Sequence, residues 1–281
     1  MKRLKNGRII IPSGETDYVR FGCGNRTLIM IPGVGDGLKT VKGMAVPFAF
    51  LYRRLAKHFT VYVFSRRNNI QEGVTTRDMA DDLNDALEML EIRESVTVGV
   101  SQGGMIAQWL AINHPDKVSS LILVVTMARP NRTVQDTLCA WIEMAERGDY
   151  RSILIDTAER SYSEKKKRHA VPMYRFLGNI GIGRPKDFSR FIIQVKSCLT
   201  HDSYEALERI ACPALVIGGS DDGILSGEAS IEVAERIPEC RLKMYQGLSH
   251  GLHEEAKDFL DQVIEFGNES DFARNPQGDR G

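Results

Sequence analysis

Short apolar runs alternate with amphipathic stretches along most of the chain, and this alternation predicts its architecture. Residues 27–31, 61–64, 96–100, 120–125, 214–217 and 241–245 are short runs, most of them rich in Val, Ile, Leu, Tyr or Phe. Runs of this length and make-up, closed by turn residues, read as strands with both faces covered. Between them, residues 47–57, 78–90, 105–113 and 229–236 predict helices, and Met79, Leu83, Ala86, Leu87 and Leu90 recur at the helical period. Strand–helix alternation implies βαβ units, hence an α/β fold with a mostly parallel, doubly wound sheet between helices. Ahead of these units, residues 8–12 and 18–21 read as two antiparallel strands joined through Ser13-Gly14. Residues 254–266 read as the last amphipathic helix.

The alternation stops after Met127. From 131 to 207 the pattern predicts only helices (134–146, 150–160 and 186–199), and Ala211-Cys212-Pro213 then restarts the sheet. Residues 1–130 and 208–267 are therefore expected to form the core, with 131–207 a helical cap inserted after the sixth strand. Such an insert lies across the carboxyl ends of the strands, where open α/β sheets bind ligands. Residues 268–281 are polar and hold Gly, Pro, Asn and Asp; they read as a disordered tail.

Composition mainly excludes. A chain of 281 residues can bury a substantial core. Its 37 Lys and Arg balance 37 Asp and Glu, which argues against a nucleic acid or another polyanion as partner. No apolar run approaches the roughly 20 residues that span a bilayer. The basic start of the chain is followed only by Ile9-Ile10-Ile11, too short for the apolar part of a signal peptide. The five cysteines are scattered and lack ligand spacing, which reads as reduced thiols in a cytoplasmic protein. No His/Asp cluster has metal-ligand spacing, and no cofactor is expected. A homodimer is the one assembly left open. Lys165-Lys166-Lys167-Arg168-His169 reads as a solvated helix face more readily than as an anion site.

The chemistry gathers at strand ends. Gly99-Val100-Ser101-Gln102-Gly103 is a G-x-S-x-G run between a buried strand and a helix, the setting in which a strained turn lifts a serine hydroxyl clear of the sheet. A serine nucleophile needs a base, and the base an acceptor that holds its tautomer, in the chain order Ser, acid, His. The strand at 214–217 runs into Gly219-Ser220-Asp221-Asp222-Gly223-Ile224. Either aspartate can serve; Asp222 is preferred because Ile224 can pack back and pin its loop. The strand at 241–245 runs into Gly247-Leu248-Ser249-His250-Gly251-Leu252-His253. His250, in the glycine-flanked loop, is favoured over His253 at the start of the next helix. An oxyanion needs two backbone donors. Gln102, just after the serine, supplies one, and Val34 in Pro32-Gly33-Val34-Gly35 is expected to supply the other.

Together these segments resemble the α/β-hydrolase superfamily from about Ile10 to Phe266, with the helical insert at the family's cap position. The resemblance implies a cofactor-free serine hydrolase that opens an ester-like bond of a small, largely apolar molecule through an acyl-enzyme. Ser101 would be the nucleophile, Asp222 the orienting acid, His250 the general acid/base, and Val34 and Gln102 the oxyanion hole. In one respect the chain departs from the family: Pro32-Gly33 stands where many members have His-Gly, so a side chain that often braces this loop is missing. Thioesterases, lactonases and C–C bond hydrolases share the same triad. A receptor that keeps the fold only for binding is the rival from another class, and an acyl-carrier or coenzyme A partner held by Lys165–Arg168 is a further one. The substrate is expected to touch Gly33, Met44, Phe48, Trp141 and Phe191.

Overall fold

The computed structural model describes residues 4–274. β1 (Lys5–Ile11) and β2 (Gly14–Gly22) form the expected antiparallel hairpin. β3 (Arg26–Ile31) then leads through a 3-10 turn at Val34–Gly37 to α1 (Ala45–Leu51) and α2 (Leu55–His58). β4 (Phe59–Arg67), α3 (Thr76–Met89), β5 (Ser95–Val100), α4 (Gln102–Asn113) and β6 (Val118–Val124) follow. Four helices come next: α5 (Arg132–Glu146), α6 (Tyr150–Ser161), α7 (Glu164–Ile180) and α8 (Ser189–Leu199). β7 (Ala214–Gly219), α9 (Gly227–Arg236), β8 (Cys240–Tyr245), α10 (Leu252–Glu255) and α11 (Phe259–Arg274) complete the chain. Among the described residues no helix is long and apolar enough to cross a membrane.

The strands lie in one sheet in the order β1-β2-β4-β3-β5-β6-β7-β8, parallel from β4 onward. Alternate residues of the apolar runs serve opposite faces, which is why these strands carry little polarity. Leu28, Met30, Val61, Val63, Val96 and Val98 pack with Leu55, Phe259, Val263 and Phe266 on one side. Ile29, Ile31, Tyr62 and Phe64 pack with Met79, Leu83, Leu87, Ile106 and Leu110 on the other. A third apolar cluster joins the inserted helices to the sheet's carboxyl end: Trp141, Ile153, Phe191 and Val195 meet Met105, Met127, Ile224 and Leu225.

The structure departs from the sequence reading at element ends and breaks. The helix expected over 47–57 is two short ones, because Tyr52 leaves helical geometry (φ −100°, ψ 29°) between α1 and α2. The last helix likewise breaks at Ala256. α7 is longer than the basic run alone suggests and continues through Pro172. α11 runs on past Asn268 to Arg274, across the start of the segment expected to be disordered; residues 275–281 lie outside the described residues.

Candidate active site

Parallel register brings the functional loops together. Ile31 pairs with Gly99, so the turn after β3 emerges beside the turn after β5. Gly219 pairs with Tyr245, so the loops after β7 and β8 also leave side by side.

Ser101 sits at φ 56°, ψ −121°, a backbone conformation that non-glycine residues rarely adopt. Its surroundings fix that geometry. The Ser101 N–H donates to Val124 O (2.9 Å), and its carbonyl accepts from Gly104 N (2.8 Å) and Thr126 Oγ1 (2.9 Å). The turn closes only because Gly103 has no side chain: a Cβ there would stand 1.9 Å from Ile31 O. Ser101 lies immediately before α4, whose N-terminal amides and dipole favour negative charge.

Asp222 is buried and uses both carboxylate oxygens. Oδ1 accepts from the N–H groups of Ile224 and Leu225, each at 2.9 Å, and Oδ2 lies 2.8 Å from His250 Nδ1. Ile224 is itself buried among the helix-insert contacts and pins the loop. Asp221 is exposed and accepts from the Ser220 hydroxyl. The Ser249 hydroxyl accepts from Gly223 N (3.1 Å) and donates to Arg160 O, tying both loops to the end of α6. His253 makes no contact with the carboxylate; its ring stands edge-on to Phe259, and burial lowers its pKa to about 4.

The Pro32–Gly35 loop lies against the serine, since a Cβ on Gly33 would be 3.3 Å from Ser101 Cβ. Gly33, Met44 and Phe48 border one cleft of about 220 Å3 beside that loop, together with Val41 and Thr40. Trp141 and Phe191 are elsewhere. Both are buried in the apolar cluster under the inserted helices, and Phe191 backs onto Gly37, where a Cβ would stand 2.6 Å from Phe191 Cα. The basic run is largely spent on neighbours: Lys166 Nζ reaches Glu254 (3.0 Å) and the face of Tyr162, and Lys167 Nζ reaches Glu164 (2.7 Å).

A charged cluster behind this loop has no counterpart in the sequence reading. Arg66, at the end of β4, is 5% exposed. Its Nη2 donates to Pro32 O, to Gly33 O (3.4 Å) and to Gln102 Oε1 (2.8 Å). Gln102 Nε2 donates to Gln194 O (2.7 Å) and Ser197 Oγ (3.1 Å) on α8. Asp36 Oδ2 accepts from Arg190 Nη2 (2.6 Å), Arg66 N (3.1 Å) and Gln194 Nε2 (3.3 Å). Burial lowers the Arg66 pKa to about 10, with Asp36 opposing the shift, so the guanidinium stays charged at neutral pH. The available signal was the position of Arg66 two residues beyond Phe64 on a strand whose alternate residues face the core.

Comparison with known proteins agrees with this fold. The family model for the alpha/beta hydrolase fold matches residues 26–257. The "Putative non-heme bromoperoxidase BpoC" of Mycobacterium tuberculosis (strain ATCC 25618 / H37Rv) is 29% identical over 230 residues, 79% of this chain and 86% of its own. The pimeloyl-[acyl-carrier protein] methyl ester esterase of Chromobacterium violaceum is 27% identical over 211 residues, 72% of this chain and 81% of its own. Among solved structures, MGS-M2, an alpha/beta hydrolase enzyme from a Medee basin deep-sea metagenome library, superposes with a TM-score of 0.82 at 19% identity, covering 92% of this chain and 96% of the other. With the family match spanning most of its length, the chain belongs to the alpha/beta hydrolase fold family, as one of its enzymes.

Proposed function

We propose that the protein is a serine hydrolase that opens an ester-like bond through an acyl-enzyme on Ser101, His250 and Asp222. The observation that carries this reading is the Asp222–His250 contact at 2.8 Å, at the same sheet end as a serine held at positive φ. Asp222 keeps the imidazole in the tautomer with its proton on Nδ1, which leaves Nε2 free to act as a base. His250 takes the Ser101 proton as Oγ attacks the acyl carbon, then gives it to the departing alcohol. Water, deprotonated by the same imidazole, cleaves the acyl-enzyme and restores Ser101. The amides of Gln102 and Val34 receive the negative charge that develops on the acyl oxygen in each half-reaction.

The inserted helices act as a cap over this site. The substrate enters along the cleft bordered by Gly33, Met44 and Phe48, and these apolar side chains suit an uncharged acyl or aryl group. The esterase among the relatives supports ester cleavage as the bond type. Cys23, Cys139, Cys198 and Cys240 are free thiols, which supports a reducing compartment.

Labelling with a fluorophosphonate and turnover of p-nitrophenyl esters of increasing chain length test the reading. Ser101→Ala is expected to lose the label and at least about 10⁴-fold in kcat while keeping its melting temperature. Asp222→Asn is expected to cost about 10⁴-fold through the wrong imidazole tautomer, and Asp221→Asn under threefold. Undiminished turnover in purified Ser101→Ala would refute the mechanism.

A further inference from the structure

The loop after β3 has Pro32 where many members of the family carry a bracing histidine, yet it must hold the Val34 amide steady. Two facts about Arg66 bear on this. Its Nη2 alone contacts both sides of the proposed oxyanion hole: Pro32 O and Gly33 O on one side, the Gln102 side chain on the other. Gly33 O and Val34 N also belong to one peptide group, and that peptide is trans. In a trans peptide the C=O and N–H point in opposite directions. Holding the carbonyl on a guanidinium, with help from Asp36 N (3.2 Å), therefore aims the Val34 N–H the other way. A cation on the carbonyl also polarises the whole peptide and strengthens its N–H as a donor.

Arg66 is placed for this and little else. Its backbone is clamped, N–H to Asp36 Oδ2 (3.1 Å) and C=O from Arg190 Nη2 (2.9 Å). Asp36 pairs with the Arg190 guanidinium but takes only the backbone N–H of Arg66, so one carboxylate stands beside two guanidinium groups and the pocket behind the hole keeps net positive charge. A protein seeking stability alone gains little from burying that excess, whereas a site that must stabilise an anion gains from it.

We propose that Arg66 is the positioning residue of the oxyanion hole, fixing the Val34 and Gln102 amides and supplying buried positive charge behind them. The assignment rests on the serine-hydrolase reading. Its test compares Arg66→Met, Arg66→Gln and Arg66→Lys with the wild-type enzyme, each normalised to the fraction that fluorophosphonate labels. The neutral variants are expected to lose about 100-fold in kcat with KM within threefold, and Arg66→Lys, which keeps charge but not the fork, about tenfold. Affinity for a trifluoromethyl ketone, which adds to Ser101 and places an oxyanion in the hole, should fall in step with kcat. A purely structural arginine would lower the labelled fraction and leave both constants of the labelled enzyme alone. Labelled neutral variants with kcat within threefold of wild type, or with the loss wholly in KM, would overturn the proposal. Should both neutral variants fail to fold, an unchanged kcat in Arg66→Lys does so. A wild-type enzyme that neither takes the label nor turns over esters refutes the underlying reading and takes this assignment with it, before any Arg66 variant is made.

Discussion

Gln102 and Gln108 are both fully buried on α4, and each anchors a polar cluster of a different kind. Around Gln108 the groups are neutral and matched. Its Nε2 donates to Met127 O (3.1 Å), its Oε1 accepts from Ser203 Oγ (2.6 Å) and lies 3.3 Å from His201 Nε2, and Thr76 Oγ1 stands 2.8 Å from His201 Nδ1. Burial lowers the His201 pKa to about 3, so the imidazole is neutral and works as a fixed donor–acceptor pair. Around Gln102 the groups are charged and incompletely matched: Arg66 Nε and Nη1, Asp36 Oδ1 and Gln194 Oε1 are buried without a protein partner. Neutral matched clusters add stability at low cost, whereas buried charge with open valences is expensive. The costly cluster lies beside Ser101, the proposed nucleophile, and the cheap one lies farther along the same helix.

The contrast can be broken experimentally, and the charged side should respond most. Asp36→Asn leaves Arg190 without its carboxylate and Arg66 without the nearby negative charge, and unfolding free energy is expected to fall by about 3–5 kcal/mol in urea titrations. A loss below about 1 kcal/mol would mean that the two cations need no counter-charge. His201→Leu strands the Thr76 hydroxyl and removes a donor to Gln108; it should cost about 1–3 kcal/mol while kcat stays within threefold. A large fall in kcat would show that the neutral cluster also serves the site.

The last expected effect is one of pH, spread over several units. Unfolded, His201 takes up a proton near its ordinary value of about 6.5, whereas the folded protein refuses it until about pH 3. Its contribution is thus intact above pH 6.5 and declines as pH falls, by up to about 1.4 kcal/mol per unit. His253 acts in the same direction down to about pH 4. Urea midpoints from pH 7 to 4.5 should fall steadily, and His201→Leu should flatten the slope. An equal slope in the variant would assign acid sensitivity to other groups.

What the sequence disclosed follows the same division. Ser101, Asp222 and His250 each occupy a short glycine-bordered segment at the end of an apolar strand, so a few neighbouring residues announce each one. The contact of Asp222 with His250 was expected from their order, and the Ile224 amide on Asp222 Oδ1 explains why Asp221 stands aside. Arg66, Asp36 and Arg190 announce nothing locally. Asp36 and Arg190 are 154 residues apart in the chain, and only the packing of α8 onto the turn after β3 unites them. Phe191 shows the same limit: its apolar neighbours on α8 suggested a pocket wall, while its burial in the α5–α8 cluster and the approach of its backbone to Gly37 come from packing that the spacing does not show. Where the backbone breaks a helix at Tyr52 or Ala256, apolar spacing on both sides had run on without a gap.

The grip of α8 on the turn after β3 also marks where this protein can be cut and rejoined. Arg190 bonds to Asp36, and Gln194 and Ser197 bond to Gln102, whereas α7 ends in a stretch where Gly181 and Gly183 take positive φ (68° and 80°). For anyone exchanging the helices between β6 and β7 among relatives, the natural seam is therefore that glycine stretch. A transplant that carries its own α8 must bring a matching turn and β4 end with it, and one that carries its own α6 must match the loops after β7 and β8 that Ser249 ties to Arg160 O.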